Sequence, residues 1–446
     1  MKVIFSTLIT LFVVATALAQ NNKKWTLKEC IDYALEHNIS IRQNEKLVES
    51  SEQDVISAKG NFLPSLGAST NANFSAGLSA NQEGILKNTN NFSSSFNLSS
   101  GGTIFNGYRN LNIYKQAQLG VESSKMDLQK IEDDISLFVV NAYLNILFAK
   151  ENLAVAQTQL EISRKQVEVT QAQVEAGVKP RGDLLNAESV VAADAQNVVT
   201  QENALDLALL SLAQLLQLPS ENFDIAIIDV GTPSGLMLYD NSNIVYEKAL
   251  ENRAEIAKAK LMVDNADLNI KIAKGAYLPT LSYSLGASTS YFHQFNNLFT
   301  NQVNASFADQ FSDRFQYGGG VSLSIPIFNR NQTKANVNKS IINKSLSELD
   351  LENQKLQLKE TIERAYLDAK AASKSYEVAK ISLDAQKEAF KNAEESYNLG
   401  AMTSFEFDEV RSRLVNAEST LIRAKFDYVF KIKVLEFYYG EELALE

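Results

Sequence analysis

Segments in the two halves of this chain repeat at a fixed spacing, and that duplication limits its possible folds more than any other feature. Residues 34–41 read ALEHNISI and residues 249–256 read ALENRAEI; residues 58–64 read AKGNFLP and residues 273–279 read AKGAYLP, both at an offset of 215. Farther along, Ile104-Phe105-Asn106 returns as Ile327-Phe328-Asn329, Ala142-Tyr143-Leu144 as Ala365-Tyr366-Leu367, and Gly177 as Gly400, all at an offset of 223. The register slips once, by eight residues between positions 66 and 104, as a single lengthened loop would make it. The chain is a tandem duplication, so each structural device should occur twice. Each half is expected to hold a short helix (about 26–37 and 242–252), a second helix (38–60 and 254–274) and a strand-rich polar stretch. A very long helix follows (108–176 and 331–398), then a turn and a closing helix (183–217 and 404–438). The expected boundaries are 20–217 for the first repeat with a β-hairpin at 64–105, 218–241 for an irregular or short-β linker, and 242–446 for the second repeat with a hairpin at 279–328.

The strand-rich stretches alternate. Leu66, Ala68, Thr70, Ala72, Phe74, Ala76 and Leu78 face one way, and Gly67, Ser69, Asn71, Asn73, Ser75 and Gly77 the other. Residues 281–291 set Leu281, Tyr283, Leu285, Ala287, Thr289 and Tyr291 against Ser282, Ser284, Gly286, Ser288 and Ser290. Residues 315–327 set Phe315, Tyr317, Val321, Leu323, Ile325 and Ile327 against Gln316, Ser322 and Ser324, and residues 92–98 alternate more loosely. Period two with one apolar side describes a sheet between unlike environments. A soluble sandwich and a membrane barrel both fit. Three features favour lipid: run lengths of ~10 residues or more, aromatic residues near both strand ends, and polar loops at about 80–91 and 293–314. Four strands cannot close a membrane barrel, and open edges in hydrocarbon leave backbone groups unpaired, so several copies must share one barrel.

Other bulk features agree with export. Lys2, an apolar run from Val3 to Ala15 and Ala17-Leu18-Ala19 read as a secretory signal peptide over residues 1–19. Gln20 follows the expected cut, so a lipoprotein cysteine is not indicated. Removing Lys2 with the leader takes the formal net charge from −11 to −12, which disfavours nucleic acid as a partner. Cys30 stands alone, and His37 and His293 show no ligand spacing, so neither a disulfide framework nor a metal centre is expected, and no cofactor. There is no GxSxG, P-loop or HExxH, and Gly318-Gly319-Gly320 lies inside a strand pattern, so an enzyme is not expected.

The long helices carry a four-three seam: Ile135, Val139, Ala142, Ile146, Ala149, Leu153, Ala156, Leu160, Ser163, Val167, Thr170 and Val174. Its counterpart is Leu358, Ile362, Ala365, Ala369, Ala372, Tyr376, Ala379, Leu383, Gln386, Phe390, Ala393 and Tyr397. Sustained over five heptads, this is a coiled-coil signature. Residues 115–176 would reach about 93 Å, and helices 38–60 and 183–216, stacked end to end, about 86 Å, so the stack matches the long helix.

In this order of elements, with the FLP and YLP lead-ins and the IFN exits, the chain resembles the TolC-like outer-membrane efflux proteins over nearly all its mature length. The segments VEAGVKPRGDLLNAES (174–189) and YNLGAMTSFEFDEVRS (397–412) resemble that family's helix-turn-helix tips, and 416–440 its closing helix. The resemblance implies a mostly α-helical protomer with a transmembrane β part, four strands going to a shared 12-stranded outer-membrane barrel. It implies a homotrimer in outer-membrane lipid, continued by a coiled-coil α-helical periplasmic tunnel. Docking to a periplasmic adaptor (membrane fusion) protein and an inner-membrane transporter is implied too. Acidic residues of the periplasmic mouth carry over to Glu406 and Glu409, and residues that tie the tips together to Asp183 and Tyr397. The family's best-known member has Arg two residues after the second tip glycine; Met402 stands there in this chain. Local chemistry offers a second role for some of these residues. Thr403 and Glu406 form a T-x-x-E capping box, and Asp183 suits the first turn of a helix. Glu409 has no capping role but fits a solvated face. Gly177 and Gly400 should end the long helices left-handed, and with Val178 and Ala401 could present the adaptor-docking surface. Small-molecule efflux and type I protein secretion share this architecture. A structural tether or adhesin without a lumen is the alternative outside transport.

Overall fold

A computed structural model describes residues 23–80, 84, 86–228, 239–295, 304–441 and 443; the expected leader lies outside them. The first half holds β1 (Lys24–Trp25), α1 (Leu27–His37), α2 (Ile39–Gly60), β2 (Ser65–Ala80), β3 (Leu86–Asn106), α3 (Arg109–Glu175) and α4 (Arg181–Leu216). After β4 (Asp224–Ile225) come α5 (Ser242–Asn252), α6 (Ala254–Gly275), β5 (Thr280–Gln294), α7 (Phe307–Asp313), β6 (Gln316–Ser324), α8 (Gln332–Asn398) and α9 (Ser404–Tyr439). The described chain divides into two compact units. One is Leu47–Lys125 with Lys258–Leu351 and contains the four-stranded sheet; the other takes the remaining residues.

In the sheet unit the strands run in the order β2-β3-β5-β6, all neighbours antiparallel. Pairing keeps like faces together. Ala68 lies opposite Leu98, Leu98 opposite Ala287 and Ala287 opposite Tyr317. On the other side, Ser69 lies opposite Asn97, Asn97 opposite Ser288 and Ser288 opposite Gln316. A one-residue slip in any pair would turn a whole strand over, so this register is strongly specified once the two faces meet different surroundings. The apolar face is exposed in the protomer: Leu66 is 75% accessible, Tyr317 84% and Val321 69%. A register shift between Thr103 and Phe105 brings Phe105 opposite Leu281, back onto the apolar side. Strand β3 is longer than its pattern predicts. Residues 86–91, expected in a polar loop, pair with β2 from Ala80↔Leu86 onward despite their Asn and Thr content. Cross-strand pairing overrides that weak intrinsic propensity. The second connection, expected as loop over 293–314, instead carries β5 as far as Gln294 and the helix α7.

Strand gives way to long helix through the same device in both repeats. Gly107 and Tyr108 are left-handed (φ 69° and 62°), as are Arg330 and Asn331 (55° and 64°). The IFN asparagine then caps the helix. Asn110 N–H donates to Asn106 Oδ1 (3.2 Å), and Thr333 N–H donates to Asn329 Oδ1 (3.5 Å). A Cβ at Gly107 would strike the Gly275 carbonyl oxygen, so close approach as well as φ calls for glycine there.

In the second unit, every seam position of α3 from Ile135 to Val174 and of α8 from Leu358 to Tyr397 is buried or half-buried. Ser163, 2% accessible, returns its hydroxyl to the Gln159 carbonyl (3.1 Å), which lets a polar residue sit on the seam. The core around α3 gathers Leu27, Cys30, Ala34, Val139, Tyr143, Ile146, Leu212 and Leu216. Burial pushes the Cys30 thiol up to about 12, which keeps it protonated and unreactive. Strands β1 and β4 pair in parallel, and the buried Tyr143 hydroxyl donates to the Ala226 carbonyl (2.7 Å) just beyond them.

Helix junctions differ between repeats at equivalent positions. Asn38 caps α2 through Ser40 N–H (2.9 Å) and donates to the Leu215 carbonyl at the end of α4 (3.2 Å), joining the two helices end to end. Its counterpart Arg253 stacks on Phe437 (4.4 Å) near the end of α9 and pairs with Asp133 (3.1 Å) and Glu255 (3.2 Å).

Candidate functional site

The two helix tips hold the residues expected to matter. Each long helix ends on a left-handed glycine, Gly177 (φ 74°) and Gly400 (φ 71°). The next residue closes the turn: Val178 N–H donates to the Gln173 carbonyl and Ala401 N–H to the Ser396 carbonyl, both at 2.8 Å. An added Cβ would meet open space at both glycines, so their requirement is conformational. The turns present apolar groups outward: Val178 is 74% accessible, Leu399 84% and Phe405 73%.

Tyr397 ties one tip to the other. It is 7% accessible, stacks on Phe407 with ring centroids 4.7 Å apart, and its hydroxyl accepts from Lys179 Nζ at 2.9 Å and Gln166 Nε2 at 3.3 Å. The same ammonium lies 4.0 Å from the Tyr397 ring centroid, adding a cation–π contact. Asp183 lines the small cavity shared by Tyr397, Phe407, Asp408 and Arg411. The Tyr397 hydroxyl accepts from Lys179 and Gln166. Neither was singled out from the sequence.

Glu406 completes the capping box: its Oε2 accepts from Thr403 N–H (3.0 Å) and Oγ1 (2.8 Å), while its own N–H donates to Thr403 Oγ1 (3.3 Å). The Thr403 backbone bond holds its carboxyl below the usual range. Glu409 is exposed and pairs with Arg413 one turn on. Asp183 is half-buried at the third position of α4, its N–H bonded to the Pro180 carbonyl (3.0 Å).

A second buried feature lies on the same helices. Arg411, 7% accessible, reaches Asp194 of α4 (3.4 Å) and Asp408 (3.8 Å), and with the Gln159 amide turned toward it donates to that oxygen from Nη1 (3.0 Å). Burial raises the Asp408 carboxyl above its usual range, against the pull of Arg411. One signal could have revealed this cluster. Phe407, Arg411 and Leu414 follow four-three spacing, so a charge sits on the apolar stripe of α9 and needs a buried partner.

Comparison with known proteins accounts for this architecture. A family model described as Outer membrane efflux protein matches residues 30–217 and 245–440. The outer membrane protein TolC of Escherichia coli (strain K12) is 22% identical over 397 residues, 88% of this chain and 77% of its own length. Its namesake from Vibrio cholerae serotype O1 is 22% identical over 305 residues, 68% of this chain and 66% of its own length. The open-state Neisseria gonorrhoeae MtrE outer membrane channel shares the fold with a TM-score of 0.70 at 21% identity, over 94% of this chain and 90% of that one. The matched residues take in both repeats and both tips, and the chain belongs to the outer membrane efflux protein family.

Proposed function

We propose that the chain is one protomer of an outer-membrane channel-tunnel, a passive duct for substrates that an inner-membrane transporter delivers through a periplasmic adaptor. Three copies pool their strands in a 12-stranded barrel, apolar face to lipid and Ser/Asn face to a water-filled lumen, and the long helices form a periplasmic tunnel. The observation that carries this reading is the sheet itself. Its register gathers most of the apolar residues of β2, β5 and β6 on one face and their Ser and Asn residues on the other. Strand β3 adds Phe92, Phe96 and Leu98 but also Ser94 and Ser100 to the apolar side, and among the described residues β2 and β6 each have a single neighbour. Strand edges in hydrocarbon need partners, and further copies supply them.

The tips are the aperture and the docking site. Tyr397, with Asp183 beside it and Lys179 bonded to it, holds the helix pairs together, while Glu406 and Glu409 contribute acidic groups at the mouth. Gly177, Val178, Gly400 and Ala401 present the turn to the adaptor. Planar-bilayer recording of the purified oligomer tests the duct. Cation-selective conductance is expected, rising when Tyr397 is replaced by Ala. An oligomer that stays silent even after the tip residues are replaced supports a tether instead.

A further inference from the structure

The connection between β5 and β6 returns to the sheet instead of running free. Thr289 Oγ1 donates to the Phe311 carbonyl (2.8 Å), and Gln310, 4% accessible, bonds both the N–H (3.0 Å) and the C=O (2.9 Å) of Phe292. Phe311 and Phe307 lie edge-on to Phe96 of β3, with centroids 5.7 and 6.2 Å away. Thr289 and Phe96 belong to the apolar side, so α7 covers part of that face.

Beside the helix lies a groove of about 500 Å³, walled by Phe311 and Phe315 and floored by Ala68, Thr70, Leu98 and Ala287. It adjoins a second of about 480 Å³ that shares Leu98 and Ala287 and ends at Leu66, Leu285 and Gly319. The floor is low because its residues are small, and Gly319 has no room for a Cβ against the Leu285 side chain. Each volume is in the range of small-ligand sites.

We infer that this groove holds one acyl chain of a membrane lipid, bound separately from the bulk lipid along the rest of the face. The inference rests on the lipid-facing reading of the sheet. The walls select the occupant by what they lack. Here β2, β3 and β5 are paired to one another, Ser69, Asn97 and Ser288 belong to the opposite face, and the Thr289 hydroxyl is spent on Phe311. That leaves the hydroxyls of Thr70 and, in the adjoining groove, Ser100 as the polar side-chain groups of the walls on this side. Two hydroxyls cannot pair the amides of a peptide segment, most of which would be left without partners there; a hydrocarbon chain loses nothing. The groove opens onto the face that lipid already covers. It lies beside α7 and crosses the middle of β3 and β5, reaching β2 at Ala68 and Thr70.

Fluorescence quenching tests this in the assembled oligomer. The native tryptophan is replaced (Trp25→Phe), and a single reporter is placed in the groove (Phe311→Trp) or on the open apolar face (Val321→Trp). Phosphatidylglycerol with brominated acyl chains is titrated into the protein in dodecyl maltoside micelles. The groove reporter should saturate at a single equivalent per protomer, while the face reporter follows the bulk lipid fraction. Adding Ala287→Phe should weaken the saturable phase roughly tenfold by overpacking the floor. Proportional quenching at both reporters, a saturable phase indifferent to Ala287→Phe, or a signal that tracks protein concentration and so marks a second copy would each overturn the inference. In vesicles made wholly of brominated lipid the face reporter must be quenched. If it is not, the lipid-facing reading itself fails, which is a different result from an empty groove.

Discussion

Replacing Arg411 with Met removes the only cation from a buried cluster and leaves two carboxylates facing one another. The side chains of Asp194 and Asp408 are 18% and 30% accessible. Breaking a buried pair costs about 3–5 kcal/mol, and this partial exposure places the cost at the lower end, about 3 kcal/mol. If the tip opens locally, amide exchange in residues 404–417 and 187–197 should speed up roughly 150-fold, as 3 kcal/mol of lost opening energy requires. Neutralising the rest of the cluster should restore protection. At these positions the other repeat offers Leu185 for Asp408 and Ala417 for Asp194, and the triple variant Arg411→Met, Asp408→Leu, Asp194→Ala should recover most of the loss. Proton linkage adds a second check. Burial raises the folded carboxyl of Asp408, so the folded tip binds a proton before the unfolded chain does, and its stability gains as pH falls through that raised value. The single-variant defect should therefore be greatest near neutral pH and shrink on acidification. A pH-independent defect, or a triple variant as labile as the single, would refute the electrostatic account and leave only lost packing.

Four further outcomes follow from other contacts. Lys179→Met removes a charged hydrogen bond and a cation–π contact to Tyr397, and should weaken closure of the tip by about 1–2 kcal/mol, read as a larger open fraction in bilayer recordings. Val321→Arg on the apolar face should cost about 2–4 kcal/mol of insertion, whereas Ser322→Arg on the polar face should insert normally; equal yields of folded oligomer from both would contradict the assigned faces. Tyr143→Phe leaves the Ala226 carbonyl without its donor and should lower stability by about 1–2 kcal/mol in thermal or denaturant unfolding. Glu406 has a lowered folded pKa, so its contribution is complete above its ordinary value of 4.5 and lost as pH falls through the folded one. Acid should fray the first turn of α9 in the parent chain, and Glu406→Gln should abolish that acid step in amide exchange.

Much of the architecture is local, and local physics is legible along the chain. The eight expected helices begin and end within two residues of their expected bounds, because apolar period, caps and left-handed glycines each act over a few residues, whereas the short α7 was expected as loop. Alternation assigned Leu66 and Ser69 to opposite sides of β2 before any partner was known. It failed for residues 86–91, where an Asn-rich stretch becomes strand only because β2 lies beside it.

The positions of the eight longer helices, the faces of β2, β5 and β6, the duplication and the family likeness were all determined by the order of residues alone. Tertiary structure decided the polar partners: Asn38 with Leu215, Lys179 with Tyr397, Arg411 with Asp194, and the fold-back of α7 through Gln310. The physical reason is range. A hydrophobic stripe is written by neighbours three or four residues apart and tolerates substitution, whereas a hydrogen bond or ion pair depends on ångström-scale placement of groups that may lie two hundred residues apart. Tyr397 came to notice as a tie between the tips only through the family resemblance, and Lys179, which donates to its hydroxyl from 218 residues away, has no local pattern that marks it.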